Sequence, residues 1–241
     1  ADRICFIPTL IYFKDFYRPK WTSLKDRMKK NILLYVVNVD WFFLSHRLPI
    51  ALGAKAQGYD VHVLTVITDK ESELKGHGFT VHSLSVDRGQ TGPLSLIKNF
   101  LEIWKTLKKL KPDLIHLITI KSVLLGGIAA RISRQKGTVV AFSGLGSVFV
   151  SEGFVAKLRR FLVIQIYKIS LSNTPLKIIF QNSSDRDLIK NLVTINESQI
   201  VMIPGSGVDL KLYNVHPFPE GRPVVMFAAR LLRDKGTLEY L

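Results

Sequence analysis

Short apolar runs alternate along the chain with longer segments in which apolar residues recur every three or four positions. Runs of about four to eight residues rich in β-branched types predict buried strands, and the helical period predicts amphipathic helices. The predicted strands cover residues 31–38, 60–66, 79–84, 113–118, 138–142, 176–181 and 199–203. The predicted helices cover residues 43–57, 94–111, 121–134, 153–171 and 184–192. This alternation is typical of an α/β fold with a doubly wound, Rossmann-like parallel sheet.

The two ends of the chain differ from this pattern. Residues 1–27 show neither strand alternation nor a helical period, and we interpret them as a non-native or disordered extension. We expect residues 28–210 to form an amino-terminal Rossmann-like domain and residues 211–222 to form a linker. Residues 223–241 then predict the start of a second, truncated Rossmann-like domain, with a buried strand at 224–229.

Composition and charge narrow the possible environments. The chain is 47% hydrophobic, yet no apolar stretch approaches the roughly 18 residues that a membrane-spanning helix needs. The single cysteine, Cys5, excludes an internal disulfide. A net charge of +15 favours anionic partners such as nucleic acid, lipid head groups or phosphorylated small molecules, and a plain solvated surface remains open. Because aromatic and basic residues are not interleaved in a nucleic-acid-reading motif, we expect no nucleic acid partner.

The loops that follow the predicted strands are where an open parallel sheet binds ligands. After the first strand, Asp40 precedes a segment in which Ser45 is placed to cap the first helix. His46 and Arg47 would then lie in the first turn of that helix, where free N–H groups favour an anionic ligand. A packing role for His46 is equally open.

A second candidate loop carries Gly144 and Gly146, directly after the predicted strand at 138–142. Two glycines permit a positive φ and close approach of backbone N–H groups to a substrate. An ordinary tight turn is the alternative, because Phe149 stands where a dinucleotide-binding fingerprint needs its third glycine. Phosphate-loop, nucleophile-elbow and His-Glu-x-x-His motifs are absent from the sequence, which removes most support for kinase and hydrolase functions.

Taken together, the motifs resemble those of the retaining glycosyltransferases of family 4, which have the two-domain GT-B fold. The segments that carry the resemblance are residues 40–49, 143–149, 180–182, 203–209 and 229–236. The first resembles the opening loop and helix of members that act on bacterial surface glycans. The last resembles the family's Gly-Arg-Leu-x-x-x-Lys-Gly, with Ala229 in place of the first glycine.

The resemblance implies an enzyme that moves a sugar from a nucleotide-sugar donor to a lipid-linked or polysaccharide acceptor in bacterial surface-glycan synthesis. The amino-terminal domain of such enzymes receives the acceptor, and the positions that this assigns to the cleft are Asp40, Ser45, His46, Arg47, Gly144 and Gly146. By the same resemblance, Arg230 and Lys235 would contact the donor diphosphate, where two cations offset the charge that grows on the leaving group.

Catalytic residues are not assigned by the resemblance. The family's paired-glutamate segment belongs to the second domain and is absent from this sequence, so we expect the chain by itself to be inactive. Several members carry a histidine near the reacting carbon, for which His116 and His46 are the candidates. A buried structural role explains His116 better, because it stands inside an apolar strand. We expect no metal and no cofactor beyond the donor substrate.

Members with this opening loop work at the inner face of the bacterial cytoplasmic membrane, so the resemblance implies a cytoplasmic protein peripherally attached to an anionic membrane surface. Two predicted helices carry basic residues that could meet anionic head groups, namely Lys98, Lys105, Lys108, Lys109 and Lys111 on one and Lys157, Arg159, Arg160 and Lys168 on the other. Apolar residues beside them, such as Ile103 and Phe161, are equally explained by burial against the sheet. The alternative function is a non-catalytic phosphate- or nucleotide-binding Rossmann module that its basic surface recruits to membrane or nucleic acid.

Overall fold

The computed structural model describes residues 30–85, 92–145, 153–172, 175–207, 213, 217, 220–229, 231 and 236–240. Seven strands in this part form one sheet, namely β1 (Ile32–Val36), β2 (Asp60–Thr65), β3 (Thr80–Ser83), β4 (Leu114–Ile118), β5 (Thr138–Phe142), β6 (Leu176–Phe180) and β7 (Ile200–Met202). Neighbouring strands are parallel throughout, in the order β3-β2-β1-β4-β5-β6-β7. The predicted doubly wound, Rossmann-like parallel sheet is confirmed.

The helices that accompany the sheet are α1 (Asp40–Ala56), α2 (Glu71–Gly76), α3 (Pro93–Leu110), α4 (Ile120–Ile132), α5 (Phe154–Ser170) and α6 (Ser183–Leu192), with a 3-10 turn at Glu197–Gln199 and a short helix α7 (Thr237–Tyr240). The sequence analysis did not predict α2. Its six residues are too few to show an apolar period, and Leu74 is the residue that it buries.

Helices α3 to α6 cover one side of the sheet, which we call the first face. Leu34 and Leu117 from the strands lie here in an apolar cluster with Ile103 of α3 and Tyr167 of α5. Helices α4 and α5 approach each other closely at Gly127, because a Cβ on this residue would lie 2.5 Å from the Cβ of Ser170. Only glycine fits between the two backbones at this point.

Helices α1 and α2 pack on the opposite side, the second face. Tyr35 of β1 lies there with Phe43 of α1 and Leu74 of α2. Because both faces are covered, the strands are apolar along most of their length, as their sequence indicated. The second face also buries His116, whose ring centroid lies 5.3 Å from that of Tyr35.

Two predictions about element boundaries are wrong. Helix α1 begins at Asp40 rather than at residue 43, because the buried Asp40 accepts a hydrogen bond from the backbone N–H of Trp41 at the first turn. Residues 224–229 form no strand, and Val224 and Val225 are 86% and 77% exposed. A strand needs a neighbour to satisfy its backbone groups, and no second strand is present among the residues described beyond 208.

The chain divides into two compact units, residues 1–208 and residues 209–241. The first contains the whole sheet. Within the second, the hydroxyl of Tyr240 donates to the carbonyl oxygen of Val225 at 2.8 Å. The predicted extension at 1–27 lies outside the described residues, and the assignment of a linker and a second domain stays a prediction.

Candidate functional site

The strand order reverses between β1 and β4, because the chain runs outward from β1 to β3 and then returns to the other side of β1. In open parallel sheets this reversal leaves a crevice at the carboxyl ends of the two central strands. Asn38 follows β1 at this crevice, and Thr119 follows β4. Thr119 has φ 76° and ψ 153°, a backbone conformation that disfavours a β-branched residue. Such strain is concentrated at functional sites, which marks the crevice as the candidate site.

Polar side chains meet inside the crevice. The hydroxyl of Ser122, in the first turn of α4, donates to Oδ1 of Asn38 at 3.2 Å. A small cavity beside this pair is lined by Asn38, Ser122, Lys121 and Asn99, the last from α3. Asn99 is 4% exposed, and its Oδ1 has no hydrogen-bond partner in the described part of the chain. The cavity has a volume of about 10 Å³, which is room for one water molecule, and these amide and hydroxyl groups line the crevice around it.

Asn38, Asn99, Thr119 and Ser122 were not assigned to the site from the sequence, although Asn38 stands at the start of the candidate loop after the first strand. Asn38 and Thr119 could have been found from their positions directly after two apolar strands. Asn99 carried no such signal, because a polar residue on a predicted helix is ordinarily assigned to its exposed side.

Asp40 organises the loop next to the crevice. Its buried carboxylate accepts hydrogen bonds from the backbone N–H groups of Trp41, Thr68 and Lys70 and from the Thr68 hydroxyl, at 2.7–3.1 Å. Burial by itself would raise the pKa of Asp40, but the hydrogen bonds from Thr68, Lys70 and Trp41 lower it below its usual value. Asp40 thereby ties the start of α1 to the loop after β2, and direct ligand contact by this residue stays a prediction.

Ser45 does not cap α1. The cap position is Val39, and the Ser45 hydroxyl lies in the second turn, where it donates to the carbonyl oxygen of Trp41 at 2.9 Å. The same hydroxyl lies 2.6 Å from Nδ1 of His46. The exposed His46 ring stacks on Phe42, with centroids 4.3 Å apart. The earlier start of α1 moves both residues away from the free N–H groups that the sequence analysis expected them to flank.

Arg47 is likewise in the second turn of α1, and it faces the sheet rather than solvent. It is 5% exposed, and its Nη1 donates to the carbonyl oxygen of His46 at 3.0 Å and to Oγ of Ser206 at 2.9 Å. Burial lowers the pKa of the guanidinium, and the neighbouring Tyr35 partly opposes this effect. The expected contact of Arg47 with an acceptor stays a prediction.

The two histidine candidates occupy different surroundings. His116 is 1% exposed in the middle of β4, and burial, with a smaller effect of Arg47, lowers its pKa to about 3. It is therefore neutral in the interior at ordinary pH. His46 lies at the surface. Of the two, only His46 lies where a ligand could reach it without opening the core.

The remaining predicted site residues are only partly described. Gly144 follows β5 with φ 112°, and no atom lies within 4 Å of where a Cβ would stand. The open space and the positive φ agree with both a turn and a ligand-facing backbone. Gly146, Arg230 and Lys235 lie outside the described residues, so their assigned roles stay predictions.

The residues from β1 to the start of α6 match a known family. Residues 32–182 match the glycosyl transferase 4-like family. The chain belongs to this family. The match contains Asp40, Ser45, His46, Arg47, Gly144 and Gly146, and it ends before Arg230 and Lys235. The resemblance identified from the sequence motifs is confirmed.

Three known proteins are similar to this chain, one in sequence and two in fold. The N,N'-diacetylbacillosaminyl-diphospho-undecaprenol alpha-1,3-N-acetylgalactosaminyltransferase of Campylobacter jejuni is 29% identical over 223 residues, which are 82% of this chain and 58% of that protein. The chain thus spans little more than half the length of this relative. Sucrose-phosphate synthase from Thermosynechococcus elongatus has a similar fold, with a TM-score of 0.53 at 17% identity over 76% of this chain and 50% of the synthase. HepE from Anabaena, solved with UDP and glucose, gives 0.53 at 16% identity, over 78% and 47% of the two chains.

Within this glycosyl transferase 4-like chain, α5 carries a second surface of interest. Phe154, Val155, Leu158, Phe161, Leu162 and Ile169 are exposed, and their spacing of one, four, seven, eight and fifteen residues from Phe154 places them on one side of the helix. Buried Ala156 and Tyr167 lie on the opposite side, against the sheet. We call the exposed stripe the outer face of α5. Lys157 and Lys168 flank it on one edge and Arg159 on the other.

The basic helix α3 also exposes apolar side chains, since Leu94, Ile97 and Leu101 are 83%, 55% and 38% exposed. Ile103, which the sequence analysis considered for a membrane-facing role, is 1% exposed and belongs to the core of the first face. Lys108 lies over the ring of Trp104, with Nζ 5.8 Å from the centroid.

No helix in the described ranges is both long and apolar enough to cross a bilayer. Those ranges also hold no cluster of three or more His, Cys, Asp or Glu side chains suited to a metal ion, and the expectation of no metal stays a prediction.

Proposed function

We propose that this chain is the acceptor side of an enzyme that transfers a sugar from a nucleotide-sugar donor to a lipid-linked acceptor in bacterial surface-glycan synthesis. The observation that carries the proposal is the family match over residues 32–182, together with 29% identity to a transferase whose name specifies a sugar on diphospho-undecaprenol. The fold shared with HepE, solved with UDP, agrees with a nucleotide-sugar donor. The donor sugar is left open.

The crevice between β1 and β4 offers the chemistry that a sugar acceptor requires. Asn38, Asn99 and Ser122 present amide and hydroxyl groups, which both donate and accept hydrogen bonds. Sugar hydroxyls have the same dual character, so neutral polar groups can bind them without neutralising a charge.

The outer face of α5 supports the further proposal that the protein attaches peripherally to the inner face of the cytoplasmic membrane. A helix that is already packed on its inner side has no reason within the fold to expose Phe154 at 83% and Val155 at 79%. Apolar side chains flanked by Lys157 and Arg159 are the arrangement of a helix that lies in the membrane interface. Attachment would bring the crevice close to the membrane, where a lipid-linked acceptor is located.

The proposed function is tested by binding of a lipid-linked sugar to this chain. Vesicles that contain undecaprenyl diphosphate carrying an acetylated amino sugar are compared with vesicles that contain undecaprenyl diphosphate alone. We expect tighter binding to the glycosylated lipid, and about a fivefold to tenfold loss of that preference in Asn99→Ala or Ser122→Ala, because each removes one hydrogen bond in a closed site. Ser198→Ala, outside the crevice, is the control. Equal binding to both lipids would contradict the proposal that the crevice recognises the sugar.

A further inference from the structure

Two histidines face each other at the edge of the sheet, on neighbouring strands. His62 of β2 is 7% exposed, and His82 of the edge strand β3 is half-buried. Nδ1 of His62 lies 2.9 Å from Nε2 of His82, and the two ring planes are inclined by only 11°. The ring centroids are 5.2 Å apart, so both nitrogens lie close to the line between the centroids. The rings therefore meet head-on rather than one above the other, which is the geometry of an N–H···N hydrogen bond.

The gap between these nitrogens fits a proton and not a metal ion. A metal ion bound by imidazole lies about 2.0–2.1 Å from each nitrogen, so an ion on the line between the rings would need a gap of roughly 4 Å. The observed 2.9 Å is instead an ordinary hydrogen-bond length. In a neutral pair one ring donates its N–H and the other accepts. The gap between His62 and His82 thus holds one proton and has no room for a second.

The charged groups that face the pair favour one added positive charge and oppose two. Oδ2 of Asp60 lies 3.3 Å from Nε2 of His62, close enough for an ion pair although the groups are not aligned for a hydrogen bond. Burial, then the neighbouring His62 and then Lys109 in the last turn of α3 lower the pKa of His82. A single imidazolium makes a charge-assisted hydrogen bond to the neutral ring, whereas two imidazolium rings repel each other across this short gap.

We propose that His62 and His82 form a proton-sensitive clamp, which holds β3 on the sheet while one proton lies between the rings and loosens β3 when both rings are protonated. In the described sheet β3 is an edge strand that pairs with β2 alone. Leu84, two residues after His82, donates its backbone N–H to the carbonyl oxygen of Thr65 at 2.8 Å and lines the small cavity of the crevice. Acid would therefore loosen one wall of the candidate site. The clamp does not depend on the proposed sugar transfer.

The direction of the pH effect follows from the lowered pKa of His82. When β3 detaches, His82 regains the ordinary basicity of a histidine, so the detached state binds more protons as the pH falls. The clamp is fully formed above the usual histidine pKa of about 6.5 and weakens progressively below it.

Amide hydrogen exchange of the whole chain at about pH 7.5 and about pH 5 tests the clamp. The readout is the protection factor of the Leu84 N–H divided by that of the Ile115 N–H, which bonds to Gly137 and reports unfolding of the sheet as a whole. In the unchanged protein we expect this ratio to fall about tenfold at the lower pH. His82→Gln should keep the ratio constant, because a side-chain amide can replace the hydrogen bond but does not titrate. His82→Leu should give the low ratio at both pH values.

His77→Gln is the matched control. His77 lies shortly before β3, and its ring is 6.0 Å from that of Phe79 between centroids rather than paired with another histidine. This substitution should leave the acid response of Leu84 unchanged. A ¹⁵N–¹⁵N coupling between Nδ1 of His62 and Nε2 of His82, present at the higher pH and lost at the lower, would identify the shared proton directly. The proposal is overturned if the exchange ratio is the same at both pH values, if His82→Gln responds to acid as the unchanged protein does, or if no coupling is found at the higher pH.

Discussion

The two faces of the sheet bury different kinds of side chain. On the first face, helices α3 to α6 enclose a core built almost wholly from aliphatic and aromatic groups, in which the rings of Phe142 and Phe180 stack at 5.2 Å. On the second face, the shorter cover of α1 and α2 encloses Arg47, His116 and the hydroxyl of Tyr35. Buried polar groups destabilise a fold unless they are fully paired. Both faces bury such groups, since the Tyr35 hydroxyl on the second face and the Tyr167 hydroxyl on the first have no hydrogen-bond partner among the described residues. The second face differs because it encloses both a guanidinium and an imidazole.

The difference extends to ionisation. Burial raises the pKa of Tyr35 well above its ordinary value and lowers that of His116, so both groups stay neutral beside Arg47. A carboxylate in the same place would have formed a buried ion pair. The second face thus keeps its one described buried guanidinium available to a neutral acceptor, Ser206.

The largest effect is expected on the first face, at Gly127. In Gly127→Ala the new Cβ would stand 2.5 Å from Cβ and 3.0 Å from the backbone oxygen of Ser170, so α4 and α5 must separate. We expect the free energy of unfolding to fall by about 2 kcal/mol, or roughly 4–8 °C in melting temperature, despite the better helix propensity of alanine. Urea and thermal unfolding followed by circular dichroism measure this change.

Gly76→Ala is the control for Gly127→Ala. Gly76 is also helical, but no atom lies within 4 Å of where its Cβ would stand. This substitution should be neutral or slightly stabilising. If Gly127→Ala were as stable as Gly76→Ala, the first face would not be closely packed at α4 and α5, and the contrast between the two faces would lose its main support.

A smaller effect is expected on the second face, at His116. The pKa of His116 is about 3 in the folded protein and about 6.5 in an unfolded chain, so the unfolded state binds more protons between these values. Stability is therefore complete above pH 6.5 and falls as the pH decreases toward 3. We expect His116→Leu to remove about 2 kcal/mol of the stability loss between pH 7 and pH 5. Urea unfolding at several pH values gives the slope directly.

The slope of the free energy of unfolding against pH is informative even if His116→Leu changes the stability at pH 7. His46→Leu is the matched control, because His46 is a histidine at the surface of the protein rather than in its interior. An unchanged slope in His116→Leu would mean that the interior of the second face admits water or a counter-charge.

Sequence patterns predicted the sheet because its strands are covered on both sides. The runs at Leu114–Ile118 and Thr138–Phe142 are apolar at nearly every position, which only a buried parallel strand explains. Residues 224–229 show the same kind of run but form no strand, because pairing partners are a property of the surrounding chain and not of the segment. Apolarity predicts that a segment can be buried, and topology decides whether it is.

The candidate site was predictable only in part. The loop after β1 was predicted from its place at a strand end, where parallel sheets bind ligands, and its role in binding stays a prediction. The orientation of Arg47 was not predicted, because Arg47 lies four residues after Phe43 on the buried side of α1, where a charged residue is not expected from the sequence pattern. Asn99 and Ser206 join the arrangement through contacts between distant segments, which no local pattern contains.

The smallest effect on the free energy of unfolding is expected at the outer face of α5, which points away from the sheet. Phe154→Ser and Phe161→Ser remove large apolar groups that are 83% and 57% exposed, so the fold should keep its melting temperature. Each substitution should weaken binding to anionic vesicles about tenfold, since a buried phenyl ring contributes roughly 1.5–3 kcal/mol.

Sedimentation with anionic and with neutral vesicles, at low and high salt, separates the two contributions to this binding. Lys157, Lys168 and Arg159 supply electrostatic attraction that salt screens, whereas the phenyl rings supply hydrophobic attraction that salt does not screen.

Ile132→Ser, at an apolar residue of α4 that is 53% exposed, is the control and should bind as the unchanged protein does. If the two phenylalanine variants also bound normally, the outer face of α5 would not be a membrane surface, and the exposed stripe would have to be explained by a protein partner. Gly127→Ala changes the contact of α4 with Ser170 of α5. If the phenylalanine variants lost binding while Gly127→Ala kept it, the packed side of α5 would hold the first face together and its exposed side would serve attachment.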